Sequence, residues 1–323
     1  MEKKMAKGLG KRKENIILTA LLAVFAAGFC IAQPGLLSVK TVQSICLQFP
    51  EIGILTLGMG ITMLVGGINL SCIASANLSG IVMIAILGRW LPEEGDSVSV
   101  VAAAIVAGVA VSMAVGVLNG VLIAVFHVPD ILATLSTQML IGGLNLLLTG
   151  GSVMSASSAS LSKIGSGMIF GIPFSVVLFV LCMVFADLVL RRTGQGREMY
   201  IYGSNRVVSR FHGTSTVLLT VRTYVLSGFF VGVAAVIMTS RFSSASAAYA
   251  SSYLMQTVLI AVLGGVNPDG GKGRISGLIL AVILIQVIST GFNGFRLDSH
   301  LSAAILGIIL LVSVFFVRKR RAE

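Results

Sequence analysis

The chain has 323 residues, of which 56% are hydrophobic and 11% charged, with a formal net charge of +11. Mean hydropathy is +0.99. A soluble domain carries about 25% charged residues, so this composition excludes a soluble fold and points to an all-α polytopic membrane protein. Nucleic acid is not an expected partner despite the positive charge. The basic residues cluster at the N-terminus (Lys3, Lys4, Lys7, Lys11, Arg12, Lys13), in an island at 191–224, at Lys272 and Arg274, and at Arg318, Lys319, Arg320 and Arg321. That distribution is a topology signal.

About 20 apolar residues cross the hydrocarbon core of a bilayer. In chain order the candidate spans are 15–33, 46–66, 72–88, 98–126, 131–150, 172–190, 218–239, 253–266, 275–292 and 299–317. The first follows a basic start and looks like a signal peptide, but so many later spans favour an uncleaved helix. Ten spans put both termini on one side, and the basic tails put that side in the cytoplasm. The inner loops then lie near 67–71, 127–130, 191–217 and 267–274. The outer loops include the acidic LPEEGD at 91–96 and a Ser/Gly-rich stretch at 150–171.

Two spans are irregular. The 98–126 stretch exceeds one crossing, so it tilts, extends into water or breaks. The 253–266 stretch is short and ends in Gly264-Gly265, which suggests a half-helix or re-entrant segment. Such breaks are tolerated only where protein or a water-filled cavity surrounds the freed backbone groups. Gly116-Val-Leu-Asn-Gly120 and Gly228-Phe-Phe-Val-Gly232 have the small-xxx-small spacing that lets helix backbones approach closely. Packing within the chain is the expected use.

No catalytic constellation is evident. Cys30, Cys46, Cys72 and Cys182 are scattered and read as buried free thiols. His127, His212 and His300 fall on different loops or helix ends, so no shared metal site is expected. The stretch from Gly265 to Arg274 resembles a P-loop only superficially. Five residues separate Gly265 from Gly271, and Gly273 follows Lys272 where a Ser/Thr would reach magnesium. Gly271, Lys272, Gly273 and Arg274 therefore read as a tight cytoplasmic turn, and this chain is not expected to bind ATP. Asp187 and Arg191 read as a snorkelling pair. Apart from these, the side chains expected at membrane depth are neutral: Asn69, Ser71, Asn77, Asn119, Thr134, Gln138, Asn145, Gln256 and Asn293. They suit either a path for an uncharged, hydroxyl-rich solute or hydrogen bonding between helices. The scarcity of intramembrane charge argues against ion coupling.

The island carries the most specific pattern. Thr193-Gly-Gln-Gly196-Arg197, then Tyr200, Gly203, Asn205 and Gly213, resemble the ribose-type permease subunits of ATP-binding-cassette (ABC) importers, which show T-x-x-G-R-x-x-Y/A-x-x-G-x-N-x-x-A-A-x-x-x-G. Gly66-Gly67-Ile68-Asn69-Leu70-Ser71 is similar to that family's G-G-I-D-L-S, and Ala133-Thr134-Leu135 to its A-T-L. Val262-Leu263-Gly264-Gly265 with Gly271-Lys272-Gly273-Arg274-Ile275 is similar to its V-L-G-G and G-G-K-G-R-I. Together these blocks cover nearly the whole chain.

The resemblance implies a permease of ten helices in the bacterial cytoplasmic membrane. Residues 15–317 would form one transmembrane domain, with basic tails at 1–14 and 318–323 and a cytoplasmic coupling loop at 191–217. Implied partners are a cytoplasmic ABC ATPase that binds the ATP and magnesium, a second permease subunit (a copy or a relative) and an extracytoplasmic substrate-binding protein. A coupling helix would fall at about 204–213, with Gly203, Asn205, Arg206, Val208, Ser209 and Gly213 at the ATPase contact. Asn205 is placed to cap it and Gly213 to stop it. Three departures stand out. Val208-Ser209 replaces the family's Ala-Ala, Asn69 replaces its acid, and Leu254 and Gln256 replace acids before V-L-G-G. These mark a divergent relative, read as one half of a heteromeric pair. The alternatives are a branched-chain amino acid-type ABC permease and an ion-coupled carrier.

Overall fold

The computed structural model describes residues 18–25, 27–28, 39–91, 96–156, 158–169, 171–211, 213 and 215–295, with short helical pieces between 301 and 311. The elements are α1 (Val39–Leu64), α2 (Cys72–Trp90), α3 (Val98–Ala124), α4 (Asp130–Thr149), α5 (Ala159–Ser166), α6 (Phe174–Arg192), α7 (Gly194–Ser204), α8 (Arg206–Phe211), α9 (Thr216–Phe242), α10 (Tyr253–Leu263) and α11 (Ile275–Gly294). Two-residue strands add little: β1 (Met154–Ser155) pairs antiparallel with β4 (Ser244–Ala245), and β2 (Met168–Ile169) with β3 (Ile172–Pro173).

Seven of the described helices are long and apolar enough to cross a bilayer: α1, α2, α3, α4, α6, α9 and α11. They coincide with seven of the ten expected spans. The spans expected at 15–33 and 299–317 are described only in part, over 18–25 and 27–28 and in short pieces between 301 and 311. The tenth, α10, has 11 residues, about 16 Å of helix, and reaches only half-way across a core of about 30 Å. The stretch at 98–126 does not break. Its 27 residues form one helix of about 40 Å.

The centre of the bundle is α9, packed on α3, α1 and α2. Its contact with α3 is made by the two glycine pairs. A Cβ on Gly116 would strike the Tyr224 backbone, and one on Gly228 would strike the backbone at Ser112. The small-xxx-small spacing therefore serves packing within the chain. Around this seam Ile54, Leu55, Met59, Met83, Phe230 and Ile237 are fully buried.

Between α9 and α10 the chain is non-helical, with Ser243 and Ala250 at positive φ. Its freed carbonyls find a donor in α2: the Asn77 side-chain amide reaches Ala247 O and Tyr249 O, both at 3.0 Å. The backbone groups freed ahead of the short helix α10 are thus satisfied by protein.

One expectation is overturned. The helical interior is not free of charge apart from Asp187. Glu51 on α1 is fully buried and pairs with Arg241 of α9 at 2.9 Å. The same oxygen, Oε1, accepts the Tyr253 hydroxyl of α10 at 2.8 Å. About 20 Å of helix separates Glu51 from Leu64 at the end of α1. Asp187 and Arg191 do pair, at 2.7 Å, on the exposed end of α6.

Candidate functional site

The basic island is not an open loop. Arg191 and Arg192 complete α6, and Arg222 and Tyr224 belong to α9. Between them stand α7 and α8. Thr193 caps α7 by accepting the Gly196 N–H at 3.2 Å. Asn205 separates α7 from α8, and its Oδ1 accepts the N–H groups of Val207 (2.9 Å) and Val208 (3.2 Å). That is the N-cap expected of it. Gly213 has φ +74°, the left-handed conformation suited to a helix stop. Along α8, Ser209 is buried with its hydroxyl unpartnered among the described residues. Val207, Val208 and Phe211 are exposed, Phe211 at 88%.

At the root of α8 three distant parts of the chain meet. Gly203 at the end of α7 lies against Leu64 O and Gly271 N, leaving no room for a Cβ. Gly271 N–H in turn donates to Leu64 O at 2.8 Å. Gly270 and Gly271 hold φ values of +94° and +74°, so the turn needs glycine there. It is closed by Asn267 N–H on Lys272 O (2.8 Å) and by the Asn267 side-chain amide on Gly270 O (2.9 Å). The Tyr200 hydroxyl donates to Gly273 O at 3.1 Å. Burial raises the pKa of this phenol, and Arg191 partly offsets the effect. Lys272 is exposed, and Arg274 stands at the N-cap of α11.

Beside this junction, Arg206 of α8 faces Asp130, the first residue of α4, at 3.6 Å. The guanidinium also lies over the Tyr202 ring, 5.4 Å from its centroid. The pair borders a cleft of about 600 Å³ whose wall includes His127, Tyr202, Thr220 and Asp269.

The neutral residues expected along a pathway fall into two groups. Asn69, Ser71, Asn119 and Ser227 form one buried chain: Asn119 donates to Ser71 (2.8 Å), Ser71 to Asn69 (2.8 Å) and Asn69 to Ser227 (3.1 Å). Thr134 donates to Ile68 O at 2.8 Å, and Asn145 to Ala74 O at 3.0 Å. These bonds tie α2, α3, α4 and α9 together. However, Asn119 Oδ1, Gln138 Oε1 and Asn145 Oδ1 are buried acceptors with no donor among the described residues. Gln256, half-buried on α10, and Asn293, exposed at the end of α11, stand apart from both groups.

A family model described as "Branched-chain amino acid transport system / permease component" matches residues 41–314. The chain belongs to this family. It is 30% identical to the autoinducer 2 import system permease protein LsrD of Photorhabdus laumondii, over 92% of this chain and 89% of that one. It is 29% identical to the ribose import permease protein RbsC of Bacillus subtilis, over 90% and 89%. With the Escherichia coli ribose import permease it shares 26% identity over 97% and 95%. No solved structure matches. The chain is thus a multi-pass membrane permease subunit of a transport system, a transport component rather than an enzyme.

In this permease the structure brings the expected Gly203, Asn205 and Gly271 to one junction, and it adds Asp130, Glu51, Arg241 and Tyr253, which the sequence did not single out. Asp130 had a signal, since it stands three residues before the Ala133-Thr134-Leu135 block. Glu51 had a weaker one, as a lone acid after Pro50 inside an apolar run.

Proposed function

We propose that this chain is the membrane-spanning permease subunit of an ABC importer for a sugar or a similar small, hydroxyl-rich solute. The single observation that carries the reading is α8. Its root is clamped beside Leu64 and Gly271, while Val207 and Phe211 stand out to solvent. An exposed apolar helix on a rigid root suits docking into a cleft of a soluble partner. That partner is a cytoplasmic ABC ATPase, which binds the ATP and magnesium. Val208, Ser209 and Gly213 shape the contact, and the Gly271–Arg274 turn supports it. The names of the ribose and autoinducer 2 relatives support import of a hydroxylated solute.

The remaining architecture follows from this reading. The basic end of the bundle faces the cytoplasm of a bacterial cell, with both termini there and ten spans in a single domain over 15–317. The basic segments 1–14 and 318–323 are its tails. An extracytoplasmic binding protein delivers the solute, and a second permease subunit, a copy or a relative, completes the pathway. The orphan acceptors of Asn119, Gln138 and Asn145 await hydroxyl donors, as a sugar supplies. Asn69, Ser71, Thr134 and Gln256 complete the polar path. ATP-driven closure favours one of two bundle arrangements through contacts that differ between them.

Reconstitution with the cognate ATPase and binding protein in proteoliposomes tests the reading. Solute uptake should require ATP and should fall on replacement of Asn205 or Gly213, with insertion unchanged. Uptake driven by a proton gradient without ATP would overturn it.

A further inference from the structure

We propose that Arg206 and Asp130 form a coupling latch, an ion pair through which movement of α8 is passed to α4. The inference rests on the permease reading above. Three observations carry it. First, Arg206 is the opening residue of α8 and Asp130 the opening residue of α4, so the pair joins the two helix starts. The two side chains approach to 3.6 Å, with 60% exposure at Arg206 and 20% at Asp130. The Tyr202 ring beneath the guanidinium holds it in line.

Second, α4 is one of the least buried spans, level with α6 and close to α3. Only 28% of its membrane window is buried, against 72% for α1 and α9. A closely packed interior resists displacement, so a push on α1 or α9 would meet the whole core. The cleft of about 600 Å³ beside the latch gives the start of α4 room on that side.

Third, α4 carries polar groups in the right place. Thr134, Gln138 and Asn145 recur at helical spacing down one side of it. Two of them, Gln138 and Asn145, hold buried acceptors without donors. A shift of α4 transmitted at Asp130 would therefore move the solute-facing acceptors themselves. Arg206 and Asp130 are positioning residues here, since neither touches the solute.

Charge exchange in the reconstituted complex of permease, ATPase and binding protein tests the latch. R206E and D130K should each lower solute uptake per ATP hydrolysed by about tenfold, within the range typical of coupling between sites. The ATPase should still co-purify with D130K, whose site lies on α4, away from the exposed face of α8. The double variant R206E/D130K restores the attraction and should recover most of the lost coupling, which also shows that the chain folds. Single variants with unchanged coupling would overturn the latch, as would a double variant no better than the singles. Loss of the ATPase from R206E alone would instead make Arg206 a docking residue and sink the latch. Failure of the wild-type permease to hold the ATPase would sink the importer reading itself.

Discussion

Among the described residues two arginine–carboxylate pairs join one helix to another, and they differ in burial and in length. Glu51–Arg241 is buried, with side-chain exposures of 0% and 17% and a separation of 2.9 Å. Its shared oxygen also receives Tyr253, so α1, α9 and α10 are pinned at one point. Asp130–Arg206 is longer, with side-chain exposures of 20% and 60%, and it links a peripheral span to a surface helix. Coulombic attraction is strong in the low-dielectric interior and weak in water. The inner pair cannot separate without stranding a charge, whereas the outer pair can break and reform. The first is a brace for the broken helix, and the second suits a contact that changes during transport.

The largest effect separating the two comes from breaking the brace. Glu51→Ala leaves Arg241 without its partner at membrane depth, and Arg241→Ala does the same to Glu51. Removing one member of a buried pair costs about 3–5 kcal/mol. Either variant should therefore show sharply reduced thermal stability in detergent, read from the melting curve, whereas Arg206→Ala should shift it by less than about 1 kcal/mol. Equal losses at the two sites would erase the distinction. The double replacement Glu51→Leu with Arg241→Met removes both charges and should regain part of the loss.

Much of this architecture was legible in the chain, and what escaped did so for physical reasons. Glycine blocks were readable because backbone geometry dictates them: Gly203 admits no side chain against Leu64 O and Gly271 N. Asn205 was readable as a cap because capping is local in sequence. The helix α7 was not, since Thr193-Gly-Gln-Gly196 looks like a turn. Gly196 is there for contact, as a Cβ would strike the carbonyls of Val189 and Leu190. Glu51 and Arg241 are 190 residues apart, and only the relative stagger of α1 and α9 brings them together. Arg241 lies just past the expected span at 218–239, so the sequence alone did not mark it as part of the interior. The scarcity of membrane-depth charge thus loses force against ion coupling, and the family match now carries that exclusion.

An intermediate effect sharpens the functional side of the comparison. Asn205→Ala removes the acceptor for the Val207 and Val208 N–H groups and should destabilise α8 by about 1 kcal/mol. Because α8 is a surface element, global stability should hardly move while affinity for the ATPase falls, measured by titration of the detergent-solubilised permease. A melting temperature lowered as far as by Glu51→Ala would mean that α8 is part of the core.

The smallest effect concerns a third acid, Asp96, which lies at the opposite end of the bundle from α8, in the segment before α3. Hydrogen bonds from Ser160 and from the Ser158 hydroxyl, the latter at 2.7 Å, hold its pKa below the ordinary carboxylate value. Desolvation partly opposes them, and Lys163 adds a smaller lowering. Ser158 also caps α5 by accepting the Leu161 N–H at 3.2 Å, so the carboxylate anchors that helix start. A lowered folded-state pKa contributes stability above the unfolded value of about 3.9, and that stability is lost as pH falls through the folded value. Asp96→Asn should therefore melt slightly below wild type at pH 7, and the gap should close as the pH is taken below about 4. The Glu51→Ala deficit rests on an ion pair and on packing inside the bundle, so it should persist over the same range until the core itself unfolds. A gap for Asp96→Asn that stays constant from neutral to acid pH would mean that the carboxylate's charge adds nothing to its hydrogen bonds.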